Sequence, residues 1–98
     1  MLVKIHKSYR NTVAICDSDL LEKSFEEDNK QLKITKNFFE GEEKTDKEVL
    51  EIMQQGSEED YTFNIVGKKA INLAIKAGLI KQEGIQYIQG IPTALVLL

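Results

Sequence analysis

Ninety-eight residues, 42% hydrophobic and 30% charged, suffice for one domain (residues 1–98) with a modest core. A single cysteine excludes an internal disulfide and every multi-cysteine metal site. The net charge of −3 hides an asymmetry: residues 1–16 carry no acid, residues 17–60 carry most of the acids, and residues 61–98 carry only Glu83.

The first elements read as strands. Leu2–His6 and Thr12–Cys16 alternate around the segment KSYRN. An antiparallel hairpin pairing His6 with Thr12 puts Val3, Ile5, Val13 and Ile15 on one face. Lys4, His6, Thr12 and Ala14 then lie on the other, as expected for a sheet covered on one side. Asp17 is expected to cap a short helix over residues 18–25, with Leu20 and Leu21 turned inward.

Residues 26–30 form a polar break, and residues 32–35 alternate as an edge strand. NFFEGEEK (residues 37–44) reads as a loop around Gly41 that returns Phe38 and Phe39 to the core. Thr45 and Glu48 match a capping box ahead of a helix carrying Val49, Leu50, Ile52 and Met53. Gly56 is its expected stop, and residues 57–60 an acidic linker.

Thr62–Val66 is the next strand. After Gly67, an amphipathic helix turns Ala70, Ile71, Ala74 and Ile75 inward and leaves Lys68, Asn72 and Lys76 as an outer stripe. Gly78 closes it. Residues 85–89 and 93–98 read as two strands around Gly90, Ile91 and Pro92. The last run lacks polar alternation, which places it centrally in the sheet. The expected fold is a compact α/β (α+β) domain: a mixed five-stranded sheet with an N-terminal β-hairpin and about three helices.

The opening MLVKIHKSYRNTVAICDSDLL, the middle TFNIVGKKAINLAIKAGLI and the ending IQGIPTALVLL resemble a small archaeal family catalogued as domain of unknown function 424. The resemblance spans nearly the whole chain. It implies a mixed α/β domain of an archaeal cytoplasm, and it brings no established activity or catalytic residues. Relatives often carry His after the proline, where this chain has Thr93, so a histidine mechanism at that position is in doubt.

The chemistry-bearing residues are few. In the hairpin, Cys16 lies opposite Leu2, and Leu2 is roughly 13 Å along the strand from His6. A nucleophile–base pair needs hydrogen-bond contact, so Cys16 reads as a buried small side chain. Asp17 and Asp19 read as caps. Glu40, Glu42 and Glu43 lack an EF-hand spacing and read as a solvated loop. No catalytic residue, cofactor or metal is expected.

Gly67-Lys68-Lys69 is neither a P-loop nor a Rossmann turn, because position 62 is Thr and Ala70 follows Lys69. It is a generic helix start that attracts anions. Tyr9 and Arg10 sit at the hairpin tip, where an aromatic beside a cation can stack on a base or hold a phosphate; the other expectation is that Tyr9 folds back onto the domain.

The preferred expectation is a non-catalytic module that engages RNA or a ribonucleoprotein through its basic ends. The candidate contacts are Lys4, Lys7, Tyr9, Arg10, Gly67, Lys68, Lys69 and Lys76. One alternative is a small-phosphate or nucleotide-binding domain, with or without enzymatic activity, using the Gly67 helix start. Another is an adaptor whose acidic face binds a basic protein, such as a ribosomal protein. The longest apolar run, residues 94–98, is far below a membrane span. With no signal peptide pattern, a soluble cytoplasmic protein is expected.

Overall fold

A computed structural model describes residues 1–97. Eight strands and three helices follow in order: β1 (Leu2–His6), β2 (Thr12–Cys16), β3 (Ser24–Glu27), β4 (Lys30–Lys33), α1 (Lys36–Phe39), β5 (Glu42–Glu43), α2 (Asp46–Glu58), β6 (Thr62–Val66), α3 (Lys68–Lys76), β7 (Gln86–Ile88) and β8 (Ile91–Val96). The main sheet has six strands in the order β5-β1-β2-β6-β8-β7, and β3 and β4 form a separate pair. Among the described residues β2 and β6 are the one parallel pair; the other pairings are antiparallel.

The N-terminal hairpin takes one of the registers its alternation allows. His6 pairs with Thr12 and Leu2 with Cys16. The final strand lies inside the sheet, between β6 and β7, as its unbroken apolar run requires; its last expected residue, Leu98, lies outside the described residues. The sixth strand is β5, two residues that pair with Leu2 and Val3. Such a short strand leaves no alternation to read.

One face of the sheet is fully covered. Val3, Val13, Ile15, Phe63, Ile65, Ala94 and Val96 pack there against Val49 and Met53 of α2 and Ala70, Ile71 and Ala74 of α3. The capping box of α2 is complete: Glu48 N–H donates to the Thr45 hydroxyl at 3.2 Å, and Thr45 N–H donates to Glu48 at 3.0 Å. The helix does not stop at Gly56 but continues to Glu58. Gly56 is buried, and a Cβ there would overlap the Phe63 ring. It is a packing glycine rather than a terminator.

The other face is half covered. Ala14, Cys16 and Val66 pack under Leu20, Ile34 and Phe39, with Phe25, Leu32 and Phe38 around them. This cover corrects three expectations. Residues 18–25 are not a helix: a 3-10 turn at Ser18–Leu20 ends where Glu22 takes a φ of 69°, and β3 begins at Ser24. The polar break at 26–30 is the tip of the β3–β4 hairpin, with Glu27 opposite Lys30 and Asp28 at a φ of 56°. The loop at 37–44 contains the single-turn helix α1, capped by Thr35. Phe39 is buried and Phe38 packs beside it, as expected. No helix among the described residues is long and apolar enough to cross a membrane.

Candidate functional site

The carboxyl ends of the parallel strands β2 and β6 lie side by side, with Cys16 opposite Val66. Beyond them is a cleft of about 460 Å³ lined by Met1, Asp17, Ser18, Asp19, Glu43, Lys68 and Lys69. Open α/β sheets commonly bind ligands at this kind of edge. The helix start at its wall is already capped by the chain itself. Asp17 does not cap the 3-10 turn that follows it. Its carboxylate instead accepts from Lys69 N–H at 3.0 Å and Ala70 N–H at 2.9 Å. These are unpaired donors of the first turn of α3, which therefore takes its N-cap from a residue fifty positions earlier.

Gly67 makes that approach close. It has a φ of 111°, and a Cβ there would overlap the Asp17 carboxyl group. The anion that the helix start attracts is thus Asp17. Lys68 and Lys69 sit beside it and face Asp19 and Glu43 across the cleft. Glu43 is paired with the N-terminal ammonium and accepts from the Ser18 hydroxyl at 2.6 Å. Those two contacts, the ammonium first, hold its carboxyl below the usual range.

The remaining sequence-predicted residues lie elsewhere. Lys7, Tyr9 and Arg10 are on the β1–β2 tip, at the far end of β2 from Asp17, roughly 13 Å or more away. Tyr9 is fully exposed, and with Arg10 it borders a hollow that includes Glu59 and Asp60. Lys4 is half-buried, and its Nζ donates to Asn37 O at 2.6 Å. The eight candidate contacts are therefore not gathered on one surface, and carboxylates stand among both groups.

His6 and Cys16 are apart, as the register requires. His6 stacks on Phe38, with ring centroids 4.5 Å apart, and Nε2 is 2.9 Å from Phe38 O. Cys16 is fully buried, and burial, followed by the Asp17 charge, pushes its thiol up to about 11. A thiol in that state is a poor nucleophile at neutral pH. Of the acidic loop, Glu40 pairs with Lys36, and Glu42 with Lys44.

A second hollow lies on the other side of Lys68. Between α3 and the β7–β8 hairpin lies a groove of about 270 Å³. Lys68, Asn72 and Gln82 line it with the apolar Ile75, Pro92 and Tyr87, and no carboxylate is among its lining residues. Tyr87 is 52% exposed. Lys76, one turn beyond Asn72, is exposed on the same helix. Sequence reading missed Tyr87 because nothing local marks it. Only the β7–β8 pairing, with Tyr87 opposite Pro92, brings it to α3.

The fold is that of a known crystal structure, an uncharacterized conserved protein from Methanopyrus kandleri. The match has a TM-score of 0.80 and 24% sequence identity, over 98% of this chain and 90% of that one. A search of curated proteins finds no match. The model of the family described as "Protein of unknown function (DUF424)" matches residues 6–98, and the chain belongs to that family.

Proposed function

We propose that this domain is a non-catalytic module that binds single-stranded RNA along α3 and the groove beside β7. The observation that carries this reading is the groove itself: a half-exposed Tyr87 with Lys68, Asn72 and Gln82, and no carboxylate in its lining. A base can stack on an aromatic face without regard to sequence, while lysines along the rim meet the phosphates. The groups best suited to chemistry have structural work instead. Cys16 is buried, His6 is held by Phe38, and Asp17 caps α3. A small-phosphate site at Gly67 would require Asp17 to leave the amides of Lys69 and Ala70.

The test is the salt dependence of binding to a short single-stranded RNA. Lys68 and Lys76 supply up to two phosphate contacts, so log affinity should fall with log salt at a slope of about −1.4. Changing Lys68 and Lys76 together to Glu should flatten that slope and weaken binding to all sequences alike. No binding at about 50 mM salt, or a slope unaffected by those changes, would refute the reading.

A further inference from the structure

The uncovered half of the second sheet face carries a half-buried polar side chain that no other described residue pairs. Asn64 is the middle residue of β6, an interior strand between β2 and β8. Asparagine is disfavoured in strands. Its neighbours on that face show how the sheet otherwise treats polar groups: Thr12 and Thr62 satisfy each other at 2.8 Å. Asn64 has no such partner. Neither it nor Thr93 nor Gln86 makes a side-chain hydrogen bond to another described residue. These three side chains line a trough of about 290 Å³, floored by Leu95 and open at Gly84. Leu95 is 59% exposed, and a Cβ on Gly84 would meet nothing within 4 Å.

We infer that this trough is a site for a neutral planar ring with a hydrogen-bonding edge, a nucleobase, held between the Asn64 and Gln86 amides above Leu95. Three features fix the chemistry. Among the described residues no charged side chain lines the trough, which suits an uncharged occupant. Asn64 is opposite Leu95 and Gln86 is opposite Thr93, so the two residues flank β8 on a diagonal, about 12 Å apart along the sheet. A ring lying on Leu95 can meet an amide at each edge. An amide also presents one donor and one acceptor, the pattern that matches adenine at N6 and N7. The trough is on the opposite side of the sheet from the α3 groove, because Tyr87 and Gln86 are adjacent in β7 and point to opposite faces.

The experiment is a titration of the isotopically labelled full chain with adenosine, and separately with ribose 5-phosphate, followed by NMR of the side-chain amides. The expected result is a saturable shift of the Asn64 and Gln86 NH2 signals with adenosine and none with ribose 5-phosphate. Asn64→Leu should weaken adenosine binding about tenfold without lowering the thermal midpoint, since leucine suits a strand better. The shifts are read at Asn64 and Gln86 only, which separates this site from base stacking at Tyr87 in the α3 groove: failure of RNA to bind at α3 would not remove them. Three outcomes would overturn the inference: no shift with millimolar adenosine, equal shifts with ribose 5-phosphate, or equal shifts with a small uncharged peptide amide.

Discussion

Tyr9 and Tyr87 are both exposed aromatics near cations, and they are not equivalent. Tyr9 stands fully in solvent on the β1–β2 tip, beside Arg10 but also beside Glu59 and Asp60. Tyr87 is half-buried in a groove whose charged lining is a lysine of α3. A stacking residue already held by its neighbours loses less freedom on binding than one waving at a loop tip. The comparison teaches that adjacency in sequence, as in Tyr9-Arg10, is weaker grounds for a binding surface than adjacency built by the fold.

The comparison can be broken most forcefully at Asp17. Its carboxylate holds the start of α3, one wall of the groove, and touches nothing at the tip. Asp17→Ala removes two charge-assisted bonds to helix amides and should cost about 3 kcal/mol in chemical denaturation. Hydrogen exchange should rise in α3 and leave the β1–β2 hairpin protected. Asp17→Asn, which keeps one acceptor oxygen, should cost clearly less. Equal losses for both variants would mean that the cap does not hold the helix.

Cys16 reports on the same end of the sheet through pH. Its folded pKa is raised from 9.0 to about 11 by burial and then by Asp17. The folded state therefore prefers the neutral thiol. Its stability is intact below pH 9 and falls as the pH rises from 9 to 11, because the unfolded chain loses the proton first. The loss should reach about 2 kcal/mol by pH 11. Cys16→Ala should remove that portion of the slope, whatever its own constant cost. An unchanged slope would show that Cys16 is not buried as described.

The smallest effect is a control. Thr45→Ala breaks the capping box of α2, remote from the groove, and should cost about 1 kcal/mol. RNA binding should not change. Loss of binding there would spread the proposed surface well beyond α3.

These elements also show what the sequence could and could not disclose. The two strands of the hairpin, the Thr45–Glu48 box and the amphipathic α3 all rest on patterns within a few positions, and each was legible; the hairpin register was not fixed by the alternation alone. The β3–β4 hairpin was not, because between Glu22 and Lys33 only Phe25 and Leu32 point to a core. The Asp17 cap spans fifty positions and leaves only one local clue, a glycine with no side chain standing where a helix cap belongs. Tyr87 and Asn64 acquire their significance only from strand pairing. Of the eight residues first singled out, Lys68 lines the groove and Lys76 lies along the same helix, while the tip residues stand apart.

The most direct test of the central claim sets the two tyrosines against each other. Binding of a fluorescent single-stranded RNA is measured by anisotropy at about 50 mM salt, for the unaltered chain, Tyr87→Ala and Tyr9→Ala. Base stacking is worth about 1–3 kcal/mol, so Tyr87→Ala should weaken binding by about 5- to 150-fold, while Tyr9→Ala should stay within about twofold. Equal losses, a larger loss for Tyr9→Ala, or no binding by the unaltered chain would contradict the account.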